Sequence, residues 1–102
     1  EGKANEATGF FEQALEADRS LCSARFALAG VLENTGRAEE AITHLEILVE
    51  TDWSHTEAHF RLGENALAAK ELEKAEMHFL IVTDIVPEHP EAIDRLKLIA
   101  KR

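Results

Sequence analysis

Only one cysteine, one methionine, one tryptophan, two prolines and five glycines occur in these 102 residues. Each scarcity excludes something. Cys22 is alone, so it has no partner for an internal disulfide, and a single thiol does not fix the redox compartment. Few prolines and glycines leave little to interrupt a helix, and the excess of Ala, Leu and Glu favours helix over strand. Basic residues are also in short supply. Eleven Lys and Arg stand against 20 Asp and Glu, a net charge of −9 with His neutral. Such a chain repels phosphate backbones and anionic membrane surfaces, so nucleic acid is not expected as a partner. No apolar run approaches the roughly 18 residues that cross a bilayer, so direct membrane insertion is not expected either. The chain begins at Glu1-Gly2, without Met and without a basic-then-apolar leader. We therefore expect a piece of a longer protein. There is no Gly-rich phosphate loop, no Gly-x-Ser-x-Gly and no His-Glu-x-x-His, so no catalytic set and no cofactor are expected. Cys22 with His55 or His59 is the one nucleophile–base pairing on offer, and neither register nor charge supports it.

One domain, residues 1–102, suffices for this length. A chain this short buries about 65% of the surface that its unfolded form exposes, so the core is modest. What the sequence does have is a period. Ala7, Ala41 and Ala75 are 34 residues apart, as are Leu28, Leu62 and Leu96, and as are Phe11, Leu45 and Phe79. A fixed period in this range marks a stacked repeat architecture.

Apolar spacing predicts six helices. The first runs over 3–18 with Ala7, Phe11, Ala14 and Leu15 on one face. The second, about 21–35, carries Ala24, Leu28, Val31 and Leu32, with Ser20 as its N-cap. Gly36 closes it in the left-handed conformation, and Gly2, one period earlier, implies the same turn. The third, about 37–51, carries Ala38, Ala41, Leu45, Leu48 and Val49. Ser54 and Glu57 read as a capping box for a fourth helix, about 55–69, with Ala58, Leu62, Ala66 and Ala69 inward. Gly63 lets a neighbouring helix come close. Lys70 stands where Gly36 stood, and a left-handed Lys costs roughly 1 kcal/mol more than Gly. The fifth helix, about 71–85, carries Ala75, Phe79 and Val82. Pro90 suits the first turn of a sixth, which carries Ile93, Leu96, Ile99 and Ala100. Short loops make consecutive helices antiparallel neighbours.

These positions resemble the tetratricopeptide repeat. Leu62-Gly63, Ala75, Phe79 and Pro87 match the family pattern as they stand. Leu28-Ala29, Gly36, Ala41 and Leu45 match less closely, and Ala7, Phe11 and Ala14 match the second-helix half of an earlier repeat. The family's bulky first-helix position holds Arg25, His59 and Ile93 instead of Trp. The resemblance implies an all-α fold of helix hairpins stacked as a right-handed superhelix. It implies a partial repeat at 3–18, whole repeats at 22–55 and 56–89, and a closing helix at 90–102.

By the same resemblance, the first helix of each hairpin lines a concave groove that binds a protein or peptide segment. The expected groove residues are Phe26, Gly30, Asn34, Phe60, Arg61, Glu64 and Arg95. Two aromatic anchors with flanking guanidinium groups suit a peptide that carries apolar side chains and a carboxylate. The alternative is that the Phe residues cover the helix surface and Arg61 and Arg95 pair with local acids. The family's clamp for chaperone C-termini uses Lys and Asn on this wall. Phe26, Gly30 and Glu57 stand at those positions with only Arg61 agreeing, which argues against that clamp.

His55 and His59 are four apart, a spacing that two metal ligands can share. Repeat copying explains the pattern without a metal, since His44 and His78 are equivalent, as are His55 and His89. No metal site is expected. Trp53 is expected as a cover over a repeat junction, with an exposed contact as the alternative. Phe10, Phe11 and Ala14 on the opening helix lack a pairing helix, so self-association as a homodimer is the second functional expectation.

Overall fold

The computed structural model describes residues 2–18 and 21–101. Among them are six α-helices and no strand. They are α1 (Gly2–Ala17), α2 (Cys22–Asn34), α3 (Ala38–Thr51), α4 (Thr56–Ala68), α5 (Leu72–Ile85) and α6 (Pro90–Ala100). Every predicted helix is present, with ends shifted by three residues or fewer. The helices divide into two compact units, residues 1–53 and residues 54–102.

In the first unit α1 packs on α2 and α2 packs on α3. Leu15, Leu28, Ala29, Leu32, Ala41, Leu45 and Leu48 are buried. Most recur at three- or four-residue spacing, the geometry that puts side chains on one helix face. Ala41 has no exposed surface, and its small side chain permits close helix approach. Ala38, expected inward, is exposed. It is the first residue of α3, one turn out from where the apolar stripe begins. Ser20, the expected cap of α2, and Arg19 lie outside the described residues. Leu21 occupies the cap position and makes no side-chain capping bond.

In the second unit α4 packs on α5 and α5 on α6. Ala66, Ala75, Phe79, Val82, Ala92 and Ile99 form its core, with Phe60, Leu67 and Leu96 packed against it. Phe79 is the largest fully buried side chain, worth about 2–3 kcal/mol of apolar transfer. It lies against Gly63. A Cβ built there would sit 2.7 Å from Phe79 Cε1, inside contact distance. Gly63 is therefore the close approach that the sequence predicts. Ala69 and Ala100, expected inward, are exposed. Both lie at helix ends, where the inward stripe has run out.

The α2–α3 and α4–α5 turns are built alike. Arg37 N–H donates to Leu32 O at 2.8 Å and Gly36 N–H to Glu33 O at 3.4 Å. Glu71 N–H donates to Ala66 O at 2.9 Å and Lys70 N–H to Leu67 O at 3.0 Å. This paired pattern is the Schellman motif, which satisfies carbonyls left over at a helix end. It needs positive φ at its penultimate residue. Gly36 has φ +78° and Lys70 has φ +63°. Gly2, expected in a third such turn, is helical instead and opens α1.

The capping box is a second correction. His55 is the N-cap of α4, not Ser54, and its Nδ1 accepts from Ala58 N–H at 3.1 Å. His89 caps α6 in the same way, accepting from Ala92 N–H at 3.1 Å. The imidazole lone pair does here what a Ser hydroxyl does elsewhere, taking an orphan backbone donor. Trp53 is 55% exposed, with the remainder of its surface covered.

Candidate functional site

The second unit carries a hollow of about 460 Å³ lined by Glu57, Phe60, Arg61, His89 and Glu91. Glu57, Phe60 and Arg61 come from the first turn and a half of α4, while His89 and Glu91 flank the start of α6. Phe60 is half-buried and held from several sides. Its ring lies 5.5 Å from Phe79 and 5.3 Å from His89, centroid to centroid. His89 spends Nδ1 on the cap of α6, so the neutral ring carries its hydrogen on Nε2 and can donate from there.

Arg95 of α6 reaches Glu64 of α4. Its Nε donates to Oε1 at 2.7 Å and an Nη donates to Oε2 at 3.4 Å. The hydrogen bond it donates to Glu64, and then the Glu64 charge, raise the Arg95 pKa further. The same guanidinium lies 6.0 Å from the Phe60 ring centroid, the outer limit of a cation–π contact. Four expected groove residues, Phe60, Arg61, Glu64 and Arg95, thus lie on α4 and α6 of one unit. Arg95 takes the local acid that the alternative reading assigns it, and Arg61 lines the hollow. Phe26 and Gly30 are partly buried on α2, and Asn34 is exposed at its end, in the first unit.

Sequence reading did not foresee what the substituted bulky position does. Arg25 is buried on α2 and its Nη1 donates to His44 Nδ1 on α3 at 3.0 Å. One period later, His59 and His78 are both buried, with their Nδ1 atoms 3.3 Å apart. Arg can only donate, so His44 must accept at Nδ1. In the His pair one Nδ1 donates and the other accepts, so the neutral rings take opposite tautomers. Burial lowers the His78 pKa to about 4, helped by the nearby His59 and Lys74. Burial also lowers that of His44, and Arg25 adds to it while Glu12 and Glu40 oppose it. The available signal was a polar residue at a position the family fills with bulk, 19 residues before a histidine in both copies.

Residues 23–65 match the family model described as tetratricopeptide repeat. Solved structures match along nearly the whole chain. These hairpins have the fold of tetratricopeptide repeats. The first repeat domain of Spaghetti (RPAP3), bound to the HSP90 peptide SRMEEVD, aligns with a TM-score of 0.87 at 24% identity, over 98% of this chain and 79% of that one. The first TPR domain of human RPAP3 aligns at 0.85 and 24%, with the same coverage. MamA aligns at 0.88 and 21%, over 98% of this chain and 58% of that one. No curated protein matches the chain at a significant level. The tetratricopeptide likeness is one of fold at these identities, and the residues of the hollow are this chain's own.

Proposed function

We propose that this chain is a protein-interaction scaffold whose second unit binds a peptide segment over Phe60. The observation that carries the reading is the hollow itself, an aromatic floor with charged groups of both signs at its edge. An apolar peptide side chain covers the exposed part of Phe60, and Arg61 takes a carboxylate by a charge-assisted bond. The Glu64–Arg95 pair stiffens the neighbouring wall. Among the fold's solved examples, one RPAP3 repeat domain holds the HSP90 peptide SRMEEVD, which supports a peptide as the class of ligand. Glu57 and Glu91 at this edge disfavour a ligand dense in acid, so a segment with one carboxylate suits the hollow better than one with several. Phe26, Gly30 and Asn34 form a second candidate surface on the first unit.

The test is a titration of short peptides that end in an aliphatic residue with a free carboxylate. Arg61→Ala removes a bond worth about 1.5–3 kcal/mol, so affinity falls about tenfold or more. Phe60→Leu keeps packing against Phe79 but loses the ring, and weakens binding with the fold intact by circular dichroism. Unaltered affinity in both variants would sink the proposal.

A second reading has its own observation. Phe10 on α1 is 67% exposed and meets Phe11 edge to face at 5.6 Å. With Phe11 and Ala14 partly buried beside it, this patch suits a second copy of the chain. Sedimentation velocity across concentration checks it. A chain that stays monomeric at every concentration counts against assembly through α1, and a dimer abolished by Phe10→Ser supports it.

A further inference from the structure

A different cavity lies in the first unit, away from the peptide hollow. It measures about 650 Å³ and is lined by α1, α2 and α3. Its apolar walls are Leu15 of α1 and Ile47 of α3. Its rim holds two exposed carboxylates, Glu12 and Glu16, one turn apart on α1. Thr51 lies on the α3 side, and its hydroxyl hydrogen is already given to Ile47 O at 3.1 Å, so its oxygen is left to accept. Arg25 of α2 and His44 of α3, bonded to each other, complete the lining.

The exposed polar groups Glu12, Glu16 and Thr51 are thus acceptors, while the donors of the lining, the Arg25 guanidinium and the remaining His44 N–H, belong to the less exposed Arg25–His44 pair. The complement is a side chain with an apolar stem and a donor-bearing cationic tip. The surroundings favour the same sign. Residues 1–53 hold eleven acidic and four basic side chains, a net of −7, against −2 for residues 54–102 with nine and seven. We propose that this cleft binds a lysine or arginine side chain presented by a basic segment of another protein. The stem lies across the exposed Ile47 at the mouth, and the head group is held at the rim by Glu12 and Glu16. The Arg25 charge inside repels a cation that goes deeper, which keeps the head at the mouth. The unit's negative field draws the basic segment in.

The probe is a blocked Gly-Ser-Arg-Ser-Gly peptide, titrated into the full chain and followed by backbone amide NMR. Its citrulline analogue keeps the shape and loses the charge. Saturable shifts are expected at Glu12, Glu16, Ile47 and Thr51, weakening as salt rises. Citrulline, or the variant Glu12→Gln/Glu16→Gln, should weaken binding about fivefold to tenfold. Ile47→Ser should weaken it with the charge unaltered, while Phe60→Leu in the other hollow should leave it unmoved. Equal binding of the citrulline peptide would overturn the assignment. So would loss in the Glu variant with none in Ile47→Ser, because that pattern belongs to diffuse surface charge and not to a cleft.

Discussion

The two hairpins α2–α3 and α4–α5 solve one backbone problem with different chemistry. Both close on a Schellman turn, yet one uses Gly36 and the other Lys70 at positive φ. Both place a polar contact where the family has bulk, yet one is an arginine on a histidine and the other two histidines. Both bury a small residue in the second helix, Ala41 and Ala75, and a large one four residues on, Leu45 and Phe79. The comparison teaches that the repeat dictates volume and backbone angle at each position, and leaves the functional group open. A position can therefore turn polar without losing the fold, provided the facing helix supplies a partner.

The largest effect should come from the core. Phe79→Ala removes a fully buried ring and should cost about 3–5 kcal/mol, while Leu45→Ala at the equivalent position should cost about 2–5 kcal/mol. Urea unfolding of each variant measures the difference, and a smaller loss at Phe79 would break the equivalence of the two hairpins.

Acid should separate them next. The His78 pKa is about 4 when folded and about 6.5 when unfolded, so the unfolded chain binds the extra proton. Stability from this group is fully present above the unfolded value and declines as pH falls from about 6.5 to 4. The total loss is roughly 2–3 kcal/mol. Hydrogen exchange should show α4 and α5 loosening over that window. A His59→Leu/His78→Leu variant should flatten the profile. Unaltered protection of α4 and α5 at pH 4.5 would contradict the buried pair.

The histidine caps should matter less. His89→Ala leaves an orphan N–H at the start of α6 and should cost about 1 kcal/mol, read as lower helix content or midpoint. The smallest effect is at the turns and has opposite signs in the two hairpins. Lys70→Gly relieves left-handed strain and should stabilise by about 0.5–1 kcal/mol, while Gly36→Lys should destabilise by a similar amount. Equal signs in thermal unfolding would show that the two turns are not equivalent after all.

The helices, the inward stripe and the left-handed Gly36 were legible in the chain because each depends on neighbours within about five residues, whereas the cost of a left-handed Lys pointed to a different turn at Lys70 and the structure has the same one. Spacing of 34 located Ala41, Ala75 and Phe79 in the core for a different reason, that copies of one hairpin bury equivalent positions. Gly2 misled because a glycine permits a turn without requiring one. Ser54 misled because the cap was decided one residue later, where His55 presents a lone pair at the right place. Of the candidate site, Phe60 and Arg61 were legible in the sequence and His89 was not. Its pairings were not, since Glu64 and Arg95 are separated by 31 residues of chain.

The sequence by itself determined six helices, their period, their inward faces and the backbone angle at Gly36, because local sterics and apolar spacing act over one or two turns. Only the tertiary structure decided that Arg25 meets His44, that His59 meets His78, that Arg95 is taken by Glu64, and that hollows open beside Phe60 and Leu15. Those outcomes depend on which side chains face each other across packed helices, and that distance in space has no fixed counterpart along the chain.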